Sequence, residues 1–369
     1  MSFLGLMREG RGTPYLIVGD QGRSRWALPA DSARILRTAM SVHTPATPAA
    51  MTRWHLARLA AGTGLGRLLP GRWSRAEVPL AGALAQVLGM GDIRIGIAES
   101  FSGNRWVLIV MEPSGRIRAF AKVALSPEQI QSLERERENL RSLNGVRETV
   151  DVPETLYCGA LDDHWALVLT PIRGRTGLST WKLDGRRIDA AAAILGPQGE
   201  RSELAERLPS NEPRDRGWAR RVEGARSLLA SRWGRSVPVG LSHGDFAPWN
   251  VFVRGSRVGV LDWEAADRRG LPFWDLWHFV VSGLHVAPAA ITIRAIRGSL
   301  RERGPLTRSL RRYAHRTGVP VETARGVLVL YLTVSGLELL QEISQGRRDH
   351  AEALAHRERL LDEVLEVCG

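Results

Sequence analysis

The chain has 369 residues, of which 44% are hydrophobic and 24% are charged, enough for a sizeable core divided between two or three domains or lobes. Its two cysteines, Cys158 and Cys368, are too few for a disulfide framework, so we expect a reducing, cytoplasmic location. We expect neither a signal peptide nor a membrane span, because no apolar run is long enough for either. The longest run, Val327–Leu340, is broken by polar residues and predicts a buried helix.

The chain is basic, with a formal net charge of +12 at pH 7. A basic surface attracts nucleic acid, anionic lipid or anionic small molecules. The arginines are scattered and no basic run is interleaved with aromatic residues, so nucleotide phosphates are the expected anions. An anionic substrate or a membrane surface is the alternative. A nucleic-acid-binding protein would bind with steep salt dependence, but no recognition motif favours that class.

The first 75 residues are predicted to form an accessory element of unknown role. Tyr15–Val18 and Arg25–Leu28 alternate like strands around a glycine-containing turn, which indicates a hairpin. Asp31 is the predicted N-cap of a helix that follows it. Ala49–Ala61 is predicted to be a second helix.

Residues 76–170 predict a small antiparallel sheet with a helix packed on it. Its central strands are predicted at Ile93–Glu99, Trp106–Glu112 and Arg116–Val123. Lys122 lies in the third strand among apolar neighbours, where an ammonium group needs an anionic partner. The helix that begins at Pro127 places Leu133, Glu136 and Leu140 on one face. We therefore predict an ion pair between Lys122 and Glu136; the alternative is a solvated helix and a lysine that reaches water.

Residues 171–369 are predicted to be mostly helical. Trp218–Trp233 carries an inward stripe of Trp218, Val222, Ala225 and Leu229 at helical spacing. From Pro288 onward the predicted helices are Ala289–Arg303, Leu306–Thr317, Val321–Gln345 and Asp349–Val367.

The chemistry is concentrated in the stretch Leu241–Asp262, LSHGDFAPWNVFVRGSRVGVLD. Two strand-like segments around a Gly-Ser turn predict a hairpin that brings Asn250 and Asp262 to the same end. Amide and carboxylate oxygens are ligands that Mg²⁺ prefers, with water and phosphate completing its shell. Asp245, just before the hairpin, is left to accept a proton from a hydroxyl. The plainer interpretation is a surface turn with a capping aspartate and a core histidine.

The spacing of His243, Asp245 and Asn250 equals that of the protein-kinase catalytic loop. HGDFAPWN followed by LDWE, and PFWDLWHF with Asp275, resemble the aminoglycoside phosphotransferase and choline kinase-like family. The specific resemblance covers about Leu241–Phe279, and a looser one extends from about residue 77 to the end. It implies an α+β, bilobal protein kinase-like fold, with a small antiparallel-sheet N-lobe, a mostly helical C-lobe and an extra N-terminal element.

The resemblance also implies a role for each candidate residue in moving the γ-phosphate of ATP or GTP to a hydroxyl. Asp245 would accept the hydroxyl proton, and Asn250 and Asp262 would bind Mg²⁺. His243 and Asp275 would support the catalytic loop structurally, and Asp275 is also expected to cap a helix. The nucleotide would be bound by Lys122 with Glu136, by the phosphate-covering loop at Ser102 and Gly103, and by Leu169 and Ile172 beside the base.

In this scheme residues 1–75 are the accessory element, 76–170 the nucleotide-binding N-lobe, and 171–369 the C-lobe with the catalytic loop and acceptor site. The acceptor is a sugar, an amino alcohol or an aminoglycoside-like molecule; the oligomeric state is not indicated. Glu338 and Glu342 are expected on a solvated helix face, and His278 in the core or on the surface. The alternative function is a pseudokinase-type nucleotide-binding regulatory module.

Overall fold

The computed structural model describes residues 6–20, 23–43, 48–99, 105–176, 183–211, 213–234, 236–285, 289–347 and 350–369. The chain divides into two compact units. The first comprises Met1–Leu143 and Val152–Ile172, and the second comprises Asn144–Asp151 and Arg173–Gly369.

Strands and helices are numbered in chain order. The strands are β1 Arg8–Asp20, β2 Arg23–Pro29, β3 Arg72–Glu77, β4 Arg94–Glu99, β5 Trp106–Met111, β6 Ile117–Ala124, β7 Val150–Asp151, β8 Thr155–Leu161, β9 His164–Leu169, β10 Arg175–Thr176, β11 Glu200–Ser202, β12 Val237–Ser242, β13 Val251–Arg254, β14 Arg257–Val260 and β15 Asp267–Gly270. The helices are α1 Ala33–Ser41, α2 Pro48–Gly62, α3 Ala81–Val87, α4 Pro127–Arg141, α5 Asn144–Arg147, α6 Gly185–Leu195, α7 Arg216–Trp233, α8 Trp274–Ser282, α9 Ala289–Leu300, α10 Gly304–Thr317, α11 Thr323–Ser344 and α12 Ala351–Cys368.

The first unit is built on an antiparallel sheet of order β3-β1-β2-β4-β5-β6-β9-β8. Alternate side chains of β5 enter two cores on opposite faces, because successive residues of a strand point to opposite sides. Leu108 and Val110 pack with residues of α3, and Ile109 and Met111 pack with residues of α1. The predicted hairpin is confirmed, since Tyr15 pairs with Pro29. The first 75 residues thus contribute strands to the same sheet as residues 94–169.

The prediction that Asp31 caps α1 was wrong. The cap is Ser32, whose hydroxyl accepts the Ile35 N–H at 3.2 Å. Asp31 instead forms an ion pair with Arg94 of β4. Either residue can accept an N-cap hydrogen bond, and the arginine, supplied by a strand distant in sequence, engages the aspartate.

The second unit is mainly helical, with two small sheets of order β10-β13-β14-β7 and β11-β12-β15. The inward stripe predicted for α7 is confirmed, because Trp218, Val222, Ala225 and Leu229 are all buried. Within the described residues, α11 is the one helix long and apolar enough to cross a membrane. It packs against α7, α8 and α12, and Gly336 lets it approach the Trp218 ring, which favours the predicted buried helix.

Candidate active site

The predicted ion pair between Lys122 and Glu136 is confirmed within the first unit. Lys122 Nζ lies 2.8 Å from Glu136 Oε1 and 2.6 Å from Oε2. Glu136 is fully buried and the Lys122 side chain is 12% exposed. Helix α4 positions the glutamate: Ser126 caps it, Pro127 occupies its first turn, and Leu133 and Leu140 anchor the same face. The role of the pair in nucleotide binding stays a prediction.

The other predicted nucleotide-binding residues lie in three segments. Ser102 and Gly103 lie outside the described residues. Leu169 ends β9 and is buried, while its backbone pairs with Phe120 of β6. Ile172 is half-buried and is the last residue of the first unit. Contact of Leu169 or Ile172 with a base stays a prediction.

In the second unit, the hairpin β13–β14 brings Asn250 next to the segment that carries Asp262. Val251 pairs with Val260, and the Leu261 N–H donates to the Asn250 carbonyl at 3.0 Å. Asp262 follows at φ 64° and ψ 64°, a left-handed conformation that is uncommon for a residue with a Cβ. The predicted hairpin is therefore confirmed, and the backbone turns sharply where the metal-binding carboxylate is predicted.

The loop before the hairpin is held by Asp275 of α8. Its Oδ2 accepts the His243 N–H at 2.8 Å, and its Oδ1 accepts the Gly244 N–H at 3.0 Å. Burial raises the pKa of the Asp275 carboxyl, while the His243 ring and the two N–H donors oppose that rise. Asp275 does not cap α8 as predicted: the helix begins after Phe273, at φ 65°, and Asp275 lies in its first turn.

Gly244 is required by the shape of this loop. Its φ is +80°, and a Cβ there would lie 2.2 Å from the Ala265 carbonyl oxygen. Any other residue would therefore meet both a backbone clash and a disfavoured backbone conformation. The loop consequently passes directly against the segment that follows Asp262.

His243 links the same two segments and is fully buried. Its Nε2 lies 2.8 Å from the Leu261 carbonyl oxygen, and its Nδ1 accepts the Asp245 N–H at 3.2 Å. A carbonyl can only accept, so Nε2 carries the proton and Nδ1 does not. Burial lowers the pKa of His243, in agreement with this neutral ring. Both ring nitrogens of His243 are thus bonded to backbone groups. This agrees with a structural role and leaves no nitrogen to act as a base.

Asn250 contacts Asp245 directly. Its Nδ2 donates to the Asp245 carbonyl at 3.0 Å and to Asp245 Oδ2 at 2.8 Å. Both donor hydrogens of the amide therefore bind Asp245, and the amide oxygen is the atom left for the predicted cation. The Asp245 side chain remains 37% exposed. An exposed carboxylate beside an amide oxygen is what the predicted chemistry needs.

His278 also contacts Asp245, which the sequence interpretation missed. Its Nε2 lies 2.8 Å from Asp245 Oδ1, and the His278 side chain is 21% exposed. The sequence placed His278 in the core or on the surface and gave it no contact with the loop. A signal existed: His278 is three residues after Asp275 on one helix, so both side chains face the same way. If Asp275 braces the loop, His278 must face it too.

The oxygen-rich composition of the site suits Mg²⁺ better than a transition metal. Among the described residues, no group of three or more His, Cys, Asp or Glu side chains is arranged to hold a metal ion. Mg²⁺ does not need such a group, because it keeps several waters and is bound by one or two protein oxygens with substrate phosphates. Asn250 and Asp262 fit that requirement.

Comparison with known proteins identifies the family. A sequence model described as "Phosphotransferase enzyme family" matches residues 97–313, more than half of the chain. The chain belongs to this phosphotransferase enzyme family. Membership confirms the resemblance to the aminoglycoside phosphotransferase and choline kinase-like family, and the prediction of a phosphotransferase. No match was found among the curated proteins that were compared with the chain.

Solved structures show the fold of this phosphotransferase family member. One is a thermostable mutant of aminoglycoside phosphotransferase APH(4)-Ia in a ternary complex with AMP-PNP and hygromycin B: 16% identity, 78% of this chain and 98% of that chain covered, and a TM-score of 0.50. The GDP and kanamycin complex of APH(2")-IIia is similar at 13% identity, with 77% and 97% covered and a TM-score of 0.49. A fructosamine-3-kinase candidate from Haemophilus somnus 129PT is similar at 13% identity, with 78% and 96% covered and a TM-score of 0.47. The predicted α+β, protein kinase-like fold is confirmed.

Proposed function

We propose that this protein transfers the γ-phosphoryl group of a nucleoside triphosphate to a hydroxyl group of a small molecule. The acceptor oxygen forms a bond to the γ-phosphorus while the bond to the β–γ bridging oxygen breaks. The nucleoside diphosphate leaves, and the hydroxyl proton passes to Asp245. Such transfer depends mainly on positioning and on electrostatic stabilisation, so few protein groups are needed.

The observation that carries the proposal is the arrangement around Asp245. Its carboxylate receives hydrogen bonds from Asn250 and His278 on different oxygens, yet its side chain is 37% exposed. A carboxylate has about four lone-pair sites, so two remain for an incoming hydroxyl. The group is thus fixed in orientation and open to a substrate, as a proton acceptor must be.

Asn250 and Asp262 would hold Mg²⁺ through their side-chain oxygens. When bound, the ion neutralises charge on the nucleotide phosphates. The Asn250 amide is already oriented for this by its two hydrogen bonds to Asp245, and the Asp262 backbone is turned at the end of β14.

Lys122 would contact the α- and β-phosphates, with Glu136 holding its ammonium group in place. The support is the burial of the pair, because Lys122 Nζ is fixed at 2.6–2.8 Å by the fully buried carboxylate of Glu136. ATP and GTP are both candidate donors. We place the enzyme in the cytoplasm, in keeping with two free cysteines and the need for a nucleoside triphosphate.

The acceptor class is a sugar, an amino alcohol or an aminoglycoside-like molecule. Glu338 on α11 is exposed, and its charge interacts with His278, the partner of Asp245. Although Glu338 is exposed as a residue, partial desolvation of its carboxyl group raises its pKa, and His278 opposes that rise. An exposed carboxylate whose charge interacts with His278, the partner of Asp245, would favour acceptors that carry an amine.

A phosphate-transfer screen tests the proposal. The purified protein is incubated with Mg²⁺ and ATP or GTP, in separate series, against panels of sugars, amino alcohols and aminoglycosides, and the phosphorylated product is identified by mass. Asp245→Asn is the matched variant, with the exposed Asp267→Asn as control. We expect Asp245→Asn to lose about 100- to 10,000-fold in kcat, with nucleotide affinity kept.

The screen also separates the regulatory alternative. A pseudokinase-type module would bind the nucleotide with Mg²⁺ but transfer phosphate to no acceptor. An Asp245→Asn variant that transfers phosphate at the normal rate would overturn the role of Asp245 while leaving the family assignment untouched.

A further inference from the structure

A line of polar side chains lies behind Asp245 and crosses three helices of the second unit. His278 of α8 contacts Asp245 at 2.8 Å, and the Tyr331 hydroxyl of α11 lies 3.4 Å from His278 Nδ1. The charge of Arg357, on α12, opposes the rise that burial causes in the pKa of Tyr331. Arg357 is 5% exposed, and its Nε donates to Ser335 at 3.3 Å.

The direction of these contacts follows from which groups can only donate. Arginine has no acceptor, so the Tyr331 hydroxyl cannot donate its hydrogen to Arg357. The Tyr331 hydrogen is then free to point at His278 Nδ1, although 3.4 Å makes this a long bond. A ring that accepts at Nδ1 carries its proton on Nε2. That proton faces Asp245 Oδ1, so each donor in the line points toward the catalytic loop.

We propose that His278 is a positioning residue that donates Nε2–H to Asp245 and fixes the plane of its carboxylate, with Tyr331 setting the tautomer of the ring. This inference rests on the proposed function, because it assigns a part in the same phosphoryl transfer. It extends that function with a residue to which none of the motifs in the sequence gave a role.

The physical effect is to hold the carboxylate from both sides. Asn250 donates to Oδ2 and His278 donates to Oδ1, so rotation of the Asp245 carboxylate about its terminal bond would break two hydrogen bonds. Without His278, Oδ1 would be free to turn toward water. Misplacing a reacting group by about 1 Å can cost about 100-fold in rate. We therefore expect loss of the donor to lower kcat about 10- to 100-fold.

A packing role for His278 makes a different prediction from a donor role. His278→Phe keeps a ring of similar volume and removes the donor, whereas His278→Gln places an amide N–H near the position of Nε2. If the ring only fills space, Phe is the better replacement. If the hydrogen bond to Asp245 matters, Gln is the better replacement although it fills the site less well.

Steady-state kinetics on the acceptor found in the screen distinguishes the two roles. We expect His278→Gln to keep kcat within about fivefold of the wild type and His278→Phe to lose about 10- to 100-fold. KM for the nucleotide should stay unchanged, because the contact is to the proton acceptor. Tyr331→Phe should lower kcat about two- to fivefold. The exposed His315→Gln is the control for a histidine substitution in the same unit. Thermal unfolding shows which variants fold.

A second measurement is independent of turnover. Long-range ¹H–¹⁵N spectra of protein labelled at its nine histidines give the tautomer of each ring, and the signals missing in His278→Gln identify His278. We expect the Nε2–H tautomer, with resonances that shift in Asp245→Asn. An Nδ1–H tautomer, or resonances that Asp245→Asn leaves in place, would overturn the inference even if the enzyme is active. If the protein shows the expected tautomer but transfers no phosphate, the contact between His278 and Asp245 stands and the proposed function is rejected.

Discussion

Lys122→Met tests the buried ion pair and gives a pH-dependent loss of stability. The change removes the ammonium group and leaves the Glu136 carboxylate, which is fully buried, without its lysine. Breaking a buried pair at one partner destabilises by about 3–5 kcal/mol. The destabilisation cannot exceed the cost of protonating Glu136, because the carboxyl group can take up a proton and become neutral. With an ordinary pKa of about 4.3, protonation costs about 3.7 kcal/mol at pH 7 and about 1 kcal/mol at pH 5.

The sign of the pH dependence follows from linkage. In Lys122→Met, the folded state raises the pKa of Glu136 above its unfolded value. The destabilisation is therefore present above that unfolded value and disappears as the pH falls toward about 4.3. We expect a difference from the wild type in the free energy of unfolding of about 3–4 kcal/mol at pH 7 and about 1 kcal/mol at pH 5, measured by urea unfolding.

A double variant separates stability from function. Lys122→Met with Glu136→Leu removes both charges, so most of the stability should return. Nucleotide affinity should stay reduced by about 10- to 100-fold in both variants, because the proposed charged hydrogen bond from Lys122 to phosphate is lost. Glu138→Gln, on the exposed face of the same helix, is the control. An equal loss at both pH values, or a double variant as unstable as Lys122→Met, would refute the reasoning.

Three further results are expected. Asp262→Gly should relieve the left-handed backbone by about 1 kcal/mol yet weaken nucleotide binding in Mg²⁺ but not in EDTA, by calorimetric titration. Gly244→Ala should cost several kcal/mol by thermal unfolding, because its Cβ would clash, whereas Gly255→Ala, at φ 58° with nothing within 4 Å, should cost about 1 kcal/mol. Burial lowers the pKa of His43 to about 4. As the pH falls, His43 is therefore protonated in the unfolded chain before it is protonated in the folded protein. Stability should fall by up to about 3 kcal/mol as the pH drops from 6.5 to 4, and His43→Phe should remove that part.

Much of the fold could be predicted because local patterns match burial. The stripe on α7 and the hairpin β13–β14 follow from periodicity and turn residues. Strand β3, Arg72–Glu77, was not predicted. Ala76 is the one buried residue of β3. The strand lies at the edge of the sheet, which it joins through backbone hydrogen bonds to β1. Backbone hydrogen bonds carry no residue code, so a polar edge strand leaves little trace in the sequence.

Pairing between distant segments was the other limit. The pairing of β2 with β4 joins Trp26 to Ala98, and nothing local in either segment specifies it. The accessory element could therefore be read as separate from the residues that follow, although its strands continue their sheet. The ion pair of Lys122 was predictable because a charge among apolar residues demands a partner and the resemblance to kinases implies a glutamate on the next helix. Periodicity then selected Glu136, the glutamate on the apolar face of that helix.

The loop that carries Asp245 shows why a motif predicts which residues form a site better than it predicts how they are oriented. The motif predicted catalytic and metal-binding roles for Asp245 and Asn250. The orientation of Asp245, however, depends on contacts from Asp275 and His278, which come from one face of α8. One helix thus fixes the loop backbone at His243 and Gly244 and one oxygen of the Asp245 carboxylate. Because those contacts come from residues three apart on a rigid element, shifting α8 would displace the loop and its carboxylate together. The position of the Asp245 carboxylate therefore depends on the packing of α8 as directly as on the sequence of its own loop.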